Sequence, residues 1–332
     1  MTITGAAPVA KPVRVRRAAG HVLWWLLILP GAVWATIRLG GAERGALVQF
    51  FAFTTYVAAW SALPAIAALA TRRWLVATVA TVTFALLAAA VLPRALADHD
   101  RGPRGGVALP VMTSNMLFGN ADAATIVRLV REHDVAVLAV QELSPNGQRN
   151  LAAAGLGELL PYSSLGAEFG ASGSGIYSRF PITDPGVRRN GGGFNQAYGT
   201  VQPPGAGAVT VESAHPLAPY SLEVLGGWRD DLAAEPRTDP KAAPRILLGD
   251  FNATLDHQPL RDLIEGGYRD AADAAGQGLI GTWGPYDGDP LPPVTIDHVL
   301  ADRRLGVDAV SVHRIPDSDH RALIATLRVP TA

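Results

Sequence analysis

The chain of 332 residues is 48% hydrophobic and 17% charged, with 35 Gly, 25 Pro and no Cys. That composition excludes a disordered chain, a disulfide scaffold, a zinc-thiolate site and a thiol nucleophile. The 28 Lys+Arg and 29 Asp+Glu nearly cancel, yet the charges avoid most of the first hundred residues, so the two parts of the chain are built for different solvents.

Three uncharged stretches, 22–37, 47–71 and 74–93, approach the ~17 to 25 residues that a helix needs to cross a hydrocarbon core. Each is closed by basic residues (Arg38, the pair Arg72 and Arg73, Arg94), and Trp24, Trp25 and Trp74 stand near segment ends, where indoles favour the interface. The competing reading as core helices of a soluble protein is disfavoured by length without charge. Lys11, Arg14, Arg16 and Arg17 precede the first span and Arg72 and Arg73 separate the second from the third, against Arg38, Arg44, Arg94, Arg101 and Arg104 on the other side. The bias predicts a basic cytoplasmic N-terminus over 1–21, three transmembrane helices in a cell membrane, and everything after Pro93 outside the cytoplasm. A cleaved signal peptide ending near Ala35 is the alternative for the first span, and it leaves the same orientation. Residues 94–106 (RALADHDRGPRGG) read as a linker.

From residue 107 to 332 short apolar runs alternate with helical patterns. Strands are expected at VALPVMTSNM, VAVLAVQ, SGIYS, AVTVESA, RILLG, VTIDHVL and ALIATLRV, with an amphipathic helix over 121–133 and others near Leu222 and Leu260. This is an α/β pattern with many strands. Asn115, Glu142, His215, Asp250 and Asp297 fall at or just past apolar runs, and active sites collect at such ends. The domain carries 17 basic against 26 acidic residues, a net charge of about −9.

In RILLGDFNATLD, Gly249 permits a sharp exit from a strand, and Asp250 and Asn252, two apart, can face the same way. By itself this also fits a plain strand-to-turn transition. VLAVQEL ends a strand on Gln141 and Glu142, and an acid there is either a cap or a ligand for a hard cation such as Mg²⁺. Asn115 in TSNM has an amide suited to a phosphate oxygen or a metal shell. Asp297 in TIDHVL, with Asp319 and His320 in DSDHRALI, offers a His two carboxylates as partners, the arrangement a general base needs. His215 follows a strand directly and reads either as a phosphate donor or as a structural His.

Taken in order, these segments resemble the endonuclease/exonuclease/phosphatase superfamily, also called DNase-I-like. The likeness runs through Asn115, Gln141 and Glu142, SGIYSRFPI, His215, the Gly249–Asp250–Asn252 motif, Ile296–Asp297–His298 and Ser318–Asp319–His320. One departure is that Leu143, Ser144 and Pro145 follow the Glu, where many nucleases carry a basic residue. The resemblance implies a two-sheet α/β sandwich with strand ends meeting in one metal-dependent site. It implies that Glu142, with Asn115 and Asp319, holds Mg²⁺ or Mn²⁺. His320, oriented by Asp297, would deprotonate the attacking water, Asp250 and Asn252 would position it, and His215 would donate to a non-bridging oxygen. His298 should be structural, and His21, His99, His133, His257 and His313 should lie on the surface. The spans and domain order further resemble the vancomycin/teicoplanin-resistance type of membrane phosphatase.

That resemblance and the expected location favour hydrolysis of a lipid-borne phosphate such as polyprenyl (undecaprenyl) pyrophosphate, with the bilayer and the phosphorylated lipid as partners. No protein partner is expected. A membrane-anchored nuclease is the second reading, disfavoured by the acidic domain because duplex binding is driven by cations on phosphate. A non-catalytic lipid-phosphate sensor is the third, and it is disfavoured because no chemical residue is missing.

Overall fold

In the computed structural model the described residues are 13–284 and 291–332, with side chains described from residue 22 onward. The basic cluster of Lys11, Arg14, Arg16 and Arg17, and His21, therefore lie outside the described side chains. The chain forms two compact units, one containing residues up to Gly40 and Thr55–Ala90, the other Gly41–Thr54 with Val91–Ala332.

The first unit is helical. It comprises α1 (Val13–Gly40), then, past a short helix α2 (Leu47–Phe51) that belongs to the other unit, α3 (Thr54–Ala70) and α4 (Trp74–Val91). Small residues pack these helices, with Ala65, Ala68, Ala77 and Ala80 around Ile28 and Val76. Two helical segments, Val22–Gly40 and Trp74–Ala95, are long and apolar enough to cross a membrane, and only 17% and 39% of their apolar windows are buried. Leu23, Leu26, Leu63, Ile66 and Leu75 point outward. The second expected span, 47–71, is divided: Val48 sits in the core of the larger unit, and the apolar helix proper is Thr54–Ala70, 17 residues long. Hydropathy could not make that division, because a buried core and a bilayer select the same side chains.

The larger unit holds two six-stranded sheets. In chain order its elements are β1 (Val107–Asn115), α5 (Ala123–Glu132), β2 (Val137–Gln141), α6 (Pro145–Ala153), α7 (Leu156–Leu159), β3 (Tyr162–Gly166), β4 (Ser174–Ser178), β5 (Ile182–Arg189), β6 (Asn195–Val201), β7 (Val209–Ala214), α8 (Leu225–Ala234), β8 (Arg245–Asp250), α9 (Gln258–Glu265), β9 (Tyr268–Asp270), α10 (Ala271–Ala274), β10 (Asp297–Asp302), β11 (Gly306–Arg314) and β12 (Arg321–Val329). One sheet runs β11-β12-β1-β2-β4-β3, the other β5-β6-β7-β8-β10-β9. This is the two-sheet α/β sandwich expected.

Alternation along each strand builds the layers. Leu109, Val111, Val137 and Ala139 of one sheet meet Val209, Val211, Ile246, Leu248 and Val299 of the other in a shared core. Met112, Leu138 and Val140 turn outward onto Ile126 and Val130 of α5. Leu247 and Leu300 turn onto Trp228, Leu232 and Leu263 of α8 and α9. The sheets are also tied by a polar stitch, in which Gln141 Nε2 donates to Ser213 Oγ at 2.9 Å while Thr113 Oγ1 donates to Gln141 Oε1 at 3.1 Å.

Residues 94–106 are not a free linker. Arg94 is buried in a bidentate pair with Asp256 at 2.8 and 2.7 Å, Asp98 N donates to Ala274 O, and Val307 N donates to Arg101 O. The stretch lacks apolar periodicity because it is held by polar and backbone bonds along the domain.

Candidate active site

Strand polarity assembles the site. β1 and β2 are parallel, as are β7 and β8, so their carboxyl ends reach one rim together. β12 runs antiparallel to β1 and β10 antiparallel to β8, so these two begin at that rim. Asn115, Glu142, His215 and Asp250 therefore follow strand ends, while Asp297 and His320 stand at strand starts. Asp297 pairs directly with Asp250 in the register. Gly249 lets β8 come close to β7: a Cβ there would lie 2.0 Å from the Ala214 carbonyl oxygen of that strand.

His320 is fully engaged on one side. Its Nδ1 faces both oxygens of Asp297 at 2.9 and 3.1 Å, and Asp297 N in turn donates to Thr282 Oγ1 at 3.0 Å. Its Nε2 lies 3.6 Å from Asp250 Oδ2 and 3.9 Å from Asp319 Oδ1. Burial opposes the charge on this ring, yet the Asp297 and Asp250 carboxylates prevail and push its pKa up to about 10.

Asn115 clamps two carboxylates. Its Nδ2 donates to Glu142 Oε1 and to Asp250 Oδ2, each at 3.1 Å, while its Oδ1 accepts from Leu117 N. Asp250 Oδ1 accepts from Asn252 N at 2.9 Å, and burial raises this carboxyl to about 7, with Asp297 adding to the effect and His320 opposing it. Glu142 takes a left-handed backbone, φ +55°, and its Oε2 accepts from Phe118 N at 2.8 Å; burial raises its pKa against those two bonds. A left-handed Glu is uncommon and is held here by its surroundings, a pattern associated with functional sites.

Asp319 Oδ2 accepts from Trp283 Nε1 at 2.8 Å, and its other oxygen is buried with no partner. His215 Nε2 is 3.8 Å from Asp250 Oδ2, its Nδ1 has no partner, and burial lowers its pKa to about 3, so the ring is neutral. Asn252 Nδ2 donates to Pro216 O at 3.1 Å, tying the turn after β8 to the loop that carries His215.

Four carboxylates thus converge without a Lys or Arg among the described residues that line the cavity above them. The donor set fits a hard divalent cation. Asp250, Asp297 and His320 offer ligand atoms within 4.8 Å of one another, but Asp297 is already committed to the imidazole, which leaves Glu142, Asp250 and the unpaired Asp319 Oδ1 to face a metal. Asn115 turns its amide nitrogen, not its oxygen, toward the carboxylates, which differs from the expected ligand role and makes it a clamp.

All eight expected site residues meet here, and the expectation for His298 also holds: it faces the opposite side of β10, onto Asp270. The surface expectation fails for His257, which is buried, with Nδ1 accepting from Thr254 N and Nε2 2.8 Å from Val48 O. His133 and His313 are half-buried against each other with ring centroids 4.6 Å apart, and His99 is exposed. Sequence reasoning missed Thr282 and Trp283, which hold Asp297 and Asp319. Their only signal is a Thr-Trp pair after Gly281, far from either partner in the chain.

The pattern of the Endonuclease/Exonuclease/phosphatase family matches residues 112–320. Among solved structures, an endonuclease/exonuclease/phosphatase from Beutenbergia cavernae is similar at 20% identity and TM-score 0.53, covering 67% of this chain and 72% of that one. A humanized TDP2 from D. rerio is similar at 14% identity and TM-score 0.54, covering 67% and 99%. A family protein from Leptotrichia buccalis is similar at 16% identity and TM-score 0.54, covering 66% and 99%. No curated protein matches the chain in sequence.

Proposed function

The chain belongs to the endonuclease/exonuclease/phosphatase family, hydrolases of phosphoester bonds, and from that premise we propose that it is a multi-pass membrane enzyme that hydrolyses a lipid-borne phosphate or pyrophosphate outside the cytoplasm. The observation that carries this reading is the His320–Asp297 pair among carboxylates in a cavity that, among the described residues, no Lys or Arg lines. A nuclease gains most of its affinity from cations on phosphate, and both this cavity and the domain's net charge of about −9 speak against it.

In its neutral form His320 accepts the proton of the attacking water at Nε2, and Asp297 fixes the tautomer and stabilises the imidazolium. The carboxylates that keep the ring charged in the metal-free site would be offset by a bound cation. Asp250, held by Asn115 and Asn252 N, orients that water. Neutral His215 donates its single N–H to a non-bridging oxygen. Glu142 and Asp319 are the ligands we assign to Mg²⁺ or Mn²⁺, which when bound neutralises phosphoryl oxygens and the leaving group.

Chain parity supports the multi-pass reading. Gly41–Thr54 and Val91–Ala332 form one unit, so α3 and α4 between them cross the bilayer together or not at all; their outward apolar faces favour crossing. With α1 crossing as well, the N-terminus lies on the opposite side from the catalytic unit. The resemblance to resistance-type membrane phosphatases points the same way for the substrate.

Full-length protein with Mg²⁺ is to be assayed against polyprenyl pyrophosphate, phosphatidylinositol and duplex DNA, with a reporter fused after Ala332. Preferred turnover of the polyprenyl substrate and reporter activity only outside the cytoplasm are expected. Preference for DNA, or a cytoplasmic reporter, would overturn the reading.

A further inference from the structure

The short segment between the first two apolar helices is built into the catalytic unit rather than lying over it. Glu43 is buried and its Oε1 accepts from Gln258 N at the start of α9 at 2.7 Å. Arg229 donates to the Glu43 carbonyl. His257 holds the Val48 carbonyl at 2.8 Å, and Gln49 Nε2 donates to Pro219 O at 2.7 Å. Val48 is fully buried against the cluster of Trp228 and Leu260. The segment is thus fixed at Glu43 and at Val48–Gln49, and Ala52 and Phe53, just past the second anchor, line the catalytic cavity.

That cavity has a volume of about 440 Å³ and Glu142, Asp250, Asp319 and His320 at its polar end, within the range that holds a small organic group. The rest of its lining is mostly apolar, with Ala52 and Phe53 from the segment and Phe118 and Phe194 from the domain, and the amide nitrogen of Asn252 and both ring nitrogens of His257 there are already bonded within the protein. The polar side chain the segment contributes, Gln49, has its amide nitrogen spent on Pro219. A phosphate bound at the carboxylate end therefore points whatever it carries into a space that offers no charge and little hydrogen bonding. Phe53 is followed at once by Thr54, the first residue of apolar α3, so this wall and an apolar helix are continuous in the chain.

We propose that Gly41–Thr54 forms a hydrocarbon subsite, in which Ala52 and Phe53, set in place by buried Val48, bind the carbons that adjoin the substrate's phosphate and so select lipid phosphates over hydrophilic ones. This rests on the lipid-phosphate reading above and names the part of the chain that enforces it. The segment acts on specificity, not on the chemical step, and a catalytic domain lacking it lacks one wall of its site.

The test measures binding of n-alkyl phosphates, methyl to hexyl, to the full chain in nanodiscs with Mg²⁺ by calorimetry, with empty nanodiscs subtracted. Each added CH2 should tighten Kd by about two- to fourfold, the increment for removing a methylene from water. Phe53→Asp should weaken hexyl phosphate at least about tenfold more than methyl phosphate, and Phe53→Leu should keep the slope. A flat series in the unaltered protein, or a Phe53→Asp shift equal for methyl and hexyl phosphate, would overturn the subsite. The two readings fail separately: a steep series without turnover of farnesyl pyrophosphate sinks the lipid-phosphatase function and leaves the subsite standing, whereas turnover with a flat series does the reverse.

Discussion

Two His–Asp pairs lie on opposite faces of β10, one built on Asp297 and the other on its neighbour His298. His298 Nδ1 faces Asp270 Oδ2 at 2.7 Å and its Nε2 faces the Ala253 carbonyl at 2.9 Å. Both partners are acceptors, so both ring nitrogens carry hydrogen and the pKa is raised, with Asp270 overcoming the opposing effect of burial. That imidazolium is sealed and has no nitrogen left for chemistry. His320 has the same carboxylate partnership through Nδ1, but its Nε2 faces the cavity, 3.6 Å from Asp250. The pairs teach that a buried His–Asp contact is not in itself a catalytic feature; what stands at the second nitrogen decides whether the proton can leave.

Exchanging the two histidines for alanine should separate chemistry from stability. His320→Ala should lower turnover by roughly 10²- to 10⁴-fold, the range for losing a general base, far beyond the loss of folded protein that follows from leaving buried Asp297 without its cation. His298→Ala leaves the buried Asp270 without its cation, and unfolding in denaturant should show a loss of about 3 kcal/mol. If His298→Ala instead abolished turnover in protein of normal stability, the assignment of the two faces would be reversed.

Metal dependence sharpens the contrast. Glu142→Gln removes an anionic ligand while keeping size, so activity at limiting Mg²⁺ should fall about tenfold or more and recover in part as Mg²⁺ is raised. His320→Ala should not recover. Equal rescue of both variants in a Mg²⁺ titration would refute the division of labour between the carboxylates and the imidazole.

The smallest effect is on pH-dependent stability in chelator. Asp250, raised to about 7, and His320, raised to about 10, both bind protons more tightly in the folded state. Each contributes stability that is fully present below its unfolded pKa and is lost as pH rises through its folded value. His215, lowered to about 3 from 6.5, works the other way, and its effect is complete above pH 6.5. Between about pH 6.5 and 10 the metal-free protein should therefore lose melting temperature steadily, and His320→Gln should flatten the upper part of that slope. A wild-type profile flat across this window would show that the site does not hold its protons as the geometry implies.

Much of this was legible in the sequence because the central strands are buried on both faces. Runs such as VLAVQ and RILLGD must be continuously apolar, and a polar residue that ends such a run stands out against it. The strands that escaped notice, β3, β5, β9 and β11, are the four sheet edges, together with β6 beside one of them. Ile182–Arg189 alternates half-exposed with exposed positions and reads as loop, because an edge strand owes its shape to backbone pairing with a neighbour and not to its own side chains.

The sequence by itself determined which residues gather at the site, since Asn115, Glu142, His215, Asp250, Asp297 and His320 are each marked by a strand end or a local motif. Only the tertiary structure decided which of them face one another. The choice between His298 and His320 depends on Asp270, Ala253 and Thr282, and the pairing of Trp283 with Asp319 spans 36 positions. Whether Val48 belongs to a bilayer or to a protein core was likewise invisible to hydropathy, because both environments reject water for the same reason, and its packing with Trp228 and Leu260 and the carbonyl held by His257 tell them apart.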